Sequence, residues 1–242
     1  MNAAIQQSRI RDTAARRAIH VRNRIARPGP EARLIRAALK TEFFLRRQLP
    51  AVFFHEPEMP TGLPDVVAVY MSKKRPELTP DRIRLTAAHI RMLHGLHTVS
   101  SITLEELASR VRVPLRQLQR LAADLRDADL VSLSHNKIAP RRLSRSFAVK
   151  YIFAIEAKIS NWSKALEQAA ANRWFASHSF ILIPPSKSID QISERARELE
   201  VGVLIFDGNE VNQVVAPRVF QIPNSYGSWL FNEWALKRGR LL

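Results

Sequence analysis

The pattern of apolar and polar positions divides the chain into three stretches. From Glu31 to Gln48, Leu34, Ile35, Ala38, Leu39, Phe43 and Leu45 recur at three- and four-residue spacing, the period of a helix that buries one face, and Pro50 ends it. AVFFHEPEMP (51–60) predicts a strand running into a turn, and TGLP (61–64) a second turn. DVVAVYM (65–71) predicts a short buried strand of β-branched and apolar residues, and KKRPELTP (73–80) a linker.

From Pro80 the period becomes helical. PDRIRLTAAHIRMLHGLH (80–97) predicts one helix. Thr103 followed by Glu106 forms a capping box that opens a second, and Pro114 stands at the favoured first position of a third, with Leu115, Leu118, Leu121, Ala122 and Leu125 on its apolar side. VSLSHNKIAPRR (131–142) alternates like a small hairpin with His135 and Asn136 at its turn. Three helices followed by a β-wing resemble a winged helix-turn-helix over residues 80–145. That resemblance implies that the last helix lies in the major groove, with Arg112, Arg116, Gln117, Gln119 and Arg120 on or near its exposed face. Lys137, Arg141 and Arg142 then belong on or after the wing. Such modules also serve as protein–protein modules, and Asp124, Asp127 and Asp129 make the end of this helix acidic.

Beyond Ser146 apolar runs alternate with amphipathic ones: FAVKYIFAIEAKI, SKALEQAAANRWFASH, SFILIPP, SIDQISERARELE and VGVLIFDG, then VNQVVAP and the helical SYGSWLFNEWALKRGRLL. Strand–helix–strand–helix–strand implies an α/β layer structure with parallel neighbours.

Charge narrows the partner. The 242 residues carry a net charge of +16 with 46% hydrophobic residues, so an apolar core coexists with a strongly basic surface. Such a chain expects a polyanion, nucleic acid before an anionic membrane. The absence of cysteine excludes disulfides, thiol catalysis and cysteine-based zinc fingers. The basic residues 1–29 lack the apolar run of a secretory signal, and no stretch is long enough to span a membrane. An Arg-rich, acid-poor start can also resemble an organellar transit peptide; a DNA-contacting arm of a cytoplasmic protein is the reading favoured here.

Within the strand YIFAIEAKI, Glu156 and Lys158 share one face, about 7 Å apart. By themselves they read as an ion pair, and Asp65 as a turn cap. Taken together, Pro64-Asp65, Glu156-x-Lys158 and Gln168-Ala169 on the following helix resemble the PD-(D/E)xK nuclease superfamily, over residues 31–75 and 146–215. The resemblance implies a restriction-endonuclease-like α/β core in which Asp65 and Glu156 hold Mg²⁺ or Mn²⁺, with the Ala157 carbonyl completing the set. It implies that Lys158 orients water or stabilises transition-state charge, and that Gln168 positions water or phosphate. A further acidic ligand is expected on the first helix, Glu42 first and Glu31 in reserve. The acidic motifs of that superfamily usually lie closer together, and the Tyr that often follows the Gln-Ala pair is missing; Asn172 and Trp174 stand there.

The expected organisation is a basic arm (1–29), a first core part (30–76), an inserted winged helix-turn-helix (77–145) and a second core part with a C-terminal helix (146–242). The expected function is metal-dependent hydrolysis of phosphodiester bonds, with DNA as the expected substrate. The alternative is a non-enzymatic winged-helix regulator whose core is inactive. Trp229, Leu230, Trp234 and Leu236 on the last helix serve either a homodimer or the chain's own core. Trp162, Trp174 and Phe175 read as core, His89, His94 and His97 as surface or packing residues, and Asp207 as a turn residue.

Overall fold

The computed structural model describes residues 18–24, 28–45, 48–59, 62–99 and 101–239. Most of the expected basic arm lies outside these. In chain order the described elements are α1 (Pro30–Ala38), α2 (Glu42–Leu45), β1 (Ala51–His55), β2 (Val66–Met71), α3 (Pro80–Ile83), α4 (Ala87–Val99), β3 (Ile102–Thr103), α5 (Leu104–Val111), α6 (Leu115–Asp127), β4 (Val131–Ser134), β5 (Lys137–Pro140), α7 (Leu143–Ser146), β6 (Val149–Ala157), α8 (Trp162–Asn172), β7 (His178–Ile183), α9 (Ile189–Glu198), β8 (Gly202–Phe206), β9 (Val211–Val215) and α10 (Tyr226–Arg238). The fold is α/β. The described residues divide into two units, one from within 21–73 and 149–228, the other residues 18–20, those described within 74–148, and 229–239.

The first unit is built on a six-stranded mixed sheet ordered β1-β2-β6-β7-β8-β9. β1, β2 and β6 are antiparallel neighbours, β6, β7 and β8 are parallel, and β9 returns antiparallel to β8. The parallel pairs follow from the helical crossovers α8 and α9, since a parallel neighbour cannot be reached through a tight turn. Both faces of the central strands are covered, which explains their unbroken apolar runs. Leu34, Ile35 and Ala38 of α1 pack on Ala68, Tyr70, Phe153, Ile155, Phe180 and Leu182. On the other face Ala165, Leu166 and Ala169 of α8, with Ile192 and Ala196 of α9, pack on Ile181, Ile183 and Val203. Gly202 is required where it pairs with Phe180: a Cβ there would stand 2.4 Å from the ring. Asp207 closes the turn between β8 and β9 by accepting from the backbone of Asn209 and Glu210, both at 2.9 Å.

The second unit contains α3 to α7 and a three-stranded antiparallel sheet ordered β3-β5-β4. The helix expected over 80–97 is broken at Leu85 and Thr86, because the Thr86 amide donates to Nδ1 of His89 (2.9 Å) and starts α4 afresh. Thr103 caps α5 through the Glu106 amide (3.1 Å), while the Glu106 side chain turns to Arg110 and does not close a reciprocal box. Pro114 is the residue before α6, one position earlier than expected. His135 and Asn136 both adopt left-handed backbone (φ 46 and 64), the geometry that a two-residue hairpin loop requires.

The last helix corrects the expected division. From Trp229 it belongs with residues 74–148 instead of the sheet. Trp229 packs edge-on to Phe147 and beside His97, each ring pair 5.0 Å apart. Asn232 accepts from the Ala148 amide (2.7 Å), and Glu233 forms a buried ion pair with Arg82. Trp229, Leu230, Trp234 and Leu236 are all buried, so of the two uses expected for them they serve the chain's own core. His89 bonds Asp124 (2.9 Å), so His89 and His97 are packing residues. Among the described residues no helix is long and apolar enough to cross a membrane.

Candidate active site

The antiparallel register that pairs Val66 with Ile155 carries the residue before β2 to the end of β6. Asp65 stands there. Its Oδ2 accepts from the Ala157 amide at 2.8 Å, and its backbone carbonyl accepts from Glu56 at 2.9 Å. Lys158 is the first residue past β6, held by its amide to the Leu182 carbonyl (3.1 Å). Its Nζ donates to the Ala157 carbonyl (3.0 Å) and to Oε2 of Glu31 (3.2 Å), and lies 3.7 Å from Oδ2 of Asp65. Glu156 points to the other face from Ile155 and Ala157, toward α8, and is 2% exposed. Its Oε1 accepts from Nδ2 of Asn172 at 2.7 Å. Its Oε2 is buried and has no hydrogen-bond partner among the described residues.

Two carboxylates, Glu31 and Asp65, therefore meet one ammonium at the ends of two paired strands, and Glu156 lies within electrostatic reach of all three. Burial raises Asp65, countered by the Ala157 amide and Lys158 and reinforced by Glu31 and Glu56. Burial, then the proximity of Asp65, pushes Glu156 up to about 8. Burial by itself would lower Lys158, but Asp65 and Glu31 hold its ammonium above the usual range. A buried carboxyl that prefers its proton has a definite stability signature. With its folded pKa above the unfolded value, the stability it contributes is fully present below pH 4.5 and is lost as pH rises through about 8. Glu156→Gln mimics the protonated form. In metal-free urea titrations its stability relative to wild type is expected to grow between those limits by up to about 1.4 kcal/mol per pH unit. A difference that stays constant from pH 5 to pH 9 would contradict this electrostatic account.

The oxygens that could be offered to a cation are those of Asp65, Glu156 and the Ala157 carbonyl, of the kind Mg²⁺ prefers, although the Ala157 carbonyl already accepts from Lys158 and Oδ2 of Asp65 from the Ala157 amide. Among the described residues no group of three or more His, Cys, Asp or Glu is arranged to hold a metal. The unpartnered Oε2 of Glu156 is compatible with a cation: a buried carboxylate oxygen without a donor is costly, and either the proton that Glu156 retains or a divalent ion would relieve that cost.

Of the other expected site residues, Gln168 is half-buried with its Oε1 unpartnered among the described residues, one helical turn before Asn172. Glu42 does not join the cluster: it lines a groove of about 710 Å³ with Lys40, Phe43, Asn209 and Glu210. Glu31, the reserve, is the acidic residue of the first helix that reaches Lys158. Asn172 was not singled out as a functional residue. The available signal was a polar side chain four residues after Gln168, on the face that buries Ala165 and Ala169.

In the other unit Arg112, Arg116, Gln117, Gln119, Arg120, Lys137 and Arg142 are exposed, and Arg141 is half-buried against Asp129. Gln117 also borders an apolar groove with Val111 and Leu121. The acidic residues ending α6 are internally engaged: Asp124 with His89, Asp127 with Arg126, and Asp129 with Arg141 and Arg145. The exposed residues at the start of α6 are thus basic or neutral.

No protein-family model matches the chain, and no curated protein matches it. Among solved structures, it is similar to a protein of unknown function from Silicibacter pomeroyi, with 12% identity over 89% of this chain and 90% of that one and a TM-score of 0.42.

Proposed function

We propose that the chain is a metal-dependent nuclease of the PD-(D/E)xK type acting on DNA, with residues 80–145 as a winged helix-turn-helix that holds the substrate. The observation that carries this reading is the meeting of Asp65, Lys158 and Glu31 at the ends of β2 and β6, with the buried Glu156, one of whose oxygens has no partner among the described residues, within their electrostatic reach. Asp65 and Glu156, with the Ala157 carbonyl, would hold Mg²⁺ or Mn²⁺. Such an ion lowers the pKa of bound water and neutralises charge on a scissile phosphate. Asn172 fixes Oε1 of Glu156 and leaves Oε2 as the open donor. Lys158, kept charged by Asp65 and Glu31, supplies a cation for the phosphate oxygens as negative charge builds on them. Arg112, Arg116 and Arg120 match phosphate and guanine edges, and Gln119 adenine edges.

A second reading, a DNA-binding regulator with an inactive core, is favoured by the absence of a three-residue metal group among the described residues. Incubation with linear, circular and single-stranded DNA plus Mg²⁺ or Mn²⁺ separates the two. Cutting that disappears with a chelator and with Asp65→Asn is expected. Salt-sensitive DNA binding without any cutting would transfer the assignment to the regulator.

A further inference from the structure

The end of the sheet opposite the carboxylates carries a groove of about 790 Å³, where β2 ends and β6 begins. Its lining includes Leu49, Lys73, Lys150, Tyr151, Val219 and Phe220, and no acidic residue. A depression of about 320 Å³ shares Leu49, Lys73, Lys150 and Tyr151 with it and adds Gln48. Lys73 and Lys150 are exposed, and the Lys150 ammonium lies 5.4 Å from the centroid of the Tyr151 ring. The Phe220 ring has the guanidinium groups of Arg173 and Arg218 at 4.9 and 5.3 Å, both paired with Glu200, so the cations the groove itself offers are Lys73 and Lys150. Val219, beside it, is 61% exposed, the highest value for a large apolar side chain among the described residues. Tyr151 and Ala157 are the third and last residues of β6, about 20 Å apart at strand rise, so this groove is separate from the carboxylate cluster.

A merely solvated basic face would not combine its cations with half-buried rings and exposed aliphatic carbon. Lysines spaced along a groove follow a phosphate backbone, while rings and apolar walls take the flat faces of bases. In a duplex those faces are stacked on one another and are not on offer. We propose that the groove lined by Lys73, Lys150, Tyr151 and Phe220 binds a single strand of nucleic acid. The inference rests on the nuclease reading only for the class of ligand and does not require that the carboxylate cluster be active.

The test is fluorescence anisotropy of a labelled oligothymidylate and of a duplex of equal length, in EDTA, over a series of salt concentrations. Lys73→Ala/Lys150→Ala is expected to weaken single-strand binding about tenfold and to flatten the slope of log K against log salt by about 1.4. Phe220→Leu, which keeps bulk and removes the ring, is expected to cost about tenfold on the single strand. Duplex affinity stays within about twofold in both. Thermal melting checks the fold, and the lysine pair decides the matter if Phe220→Leu melts early. Unchanged single-strand affinity in the lysine variant, or an equal loss on duplex, overturns the proposal. Single-strand binding that depends on the groove in a protein that never cuts leaves this inference standing and removes the nuclease reading. Cutting with unaltered binding in the variants does the reverse.

Discussion

On the proposed nuclease reading, Lys158→Ala is expected to reduce the single-turnover rate of metal-dependent DNA cleavage by about 10² to 10³, the range for removing one preorganised donor from developing charge. The side chain stands between Asp65 and Glu31, with a bond to the Ala157 carbonyl, so its removal takes away the cation nearest both carboxylates. DNA affinity in the absence of metal is expected to change little, because the arginines proposed to contact DNA, Arg112, Arg116, Arg120 and Arg142, lie in the other unit. The two readouts divide chemistry from binding. A cleavage rate within threefold of wild type would remove Lys158 from the reaction and leave the cluster as a structural ion pair.

Arg82→Met is expected to cost about 3–5 kcal/mol in urea unfolding, the range for breaking a buried ion pair by deleting one partner. Arg82 and Glu233 have side chains 2% and 0% exposed. The guanidinium donates from Nε to Oε2 of Glu233 at 3.0 Å, and from one terminal nitrogen to Oε1 at 2.6 Å and to the Ser146 carbonyl at 2.5 Å. Methionine leaves the Glu233 carboxylate buried with Asn232 Nδ2 as its remaining donor and the Ser146 carbonyl short of one. Arg82→Met/Glu233→Leu should recover most of that loss, since two apolar side chains leave no buried charge. A single-variant loss below about 1 kcal/mol would mean that water or a neighbouring group replaces the guanidinium at low cost.

The strands were legible because the sheet is buried on both sides, so Val66–Met71, His178–Ile183 and Gly202–Phe206 stand out as unbroken apolar runs. The α5 cap and the His135–Asn136 turn were legible because each depends on local backbone chemistry. Pairing across distance was not. Nothing near α10 announces that Glu233 will meet Arg82, and a helix apolar on nearly every side does not say which unit will cover it. At the site, Glu156 lies in β6 as expected, but Asp65 precedes β2 and Lys158 follows β6, and the single strand face expected for Glu156 and Lys158 is not what forms: Glu156 turns to Asn172 of α8 and Lys158 to Glu31 of α1. The choice of Glu31 over Glu42 could not be anticipated, because it depends on how α1 lies on the sheet: Glu31 opens the helix that packs on Ile155 and Ala157, whereas Glu42 follows the break at Leu39–Thr41. Asn172 was obscured for a related reason. A buried asparagine becomes meaningful only when the carboxylate it serves is known.

The pairing of β2 with β6 has a kinetic consequence. Met71 and Val149 are partners in that ladder, yet residues 74–148 lie between them in the chain. Closing such a loop costs roughly 2–3 kcal/mol more in chain entropy than a hairpin of a few residues, and topologies that rely on distant contacts fold slowly. If the intervening segment folds first, its two ends no longer wander independently and much of that entropy is already spent. The seam that brings Asp65 to Ala157 would then close last, making maturation of the carboxylate cluster a late event in the life of each newly synthesised chain.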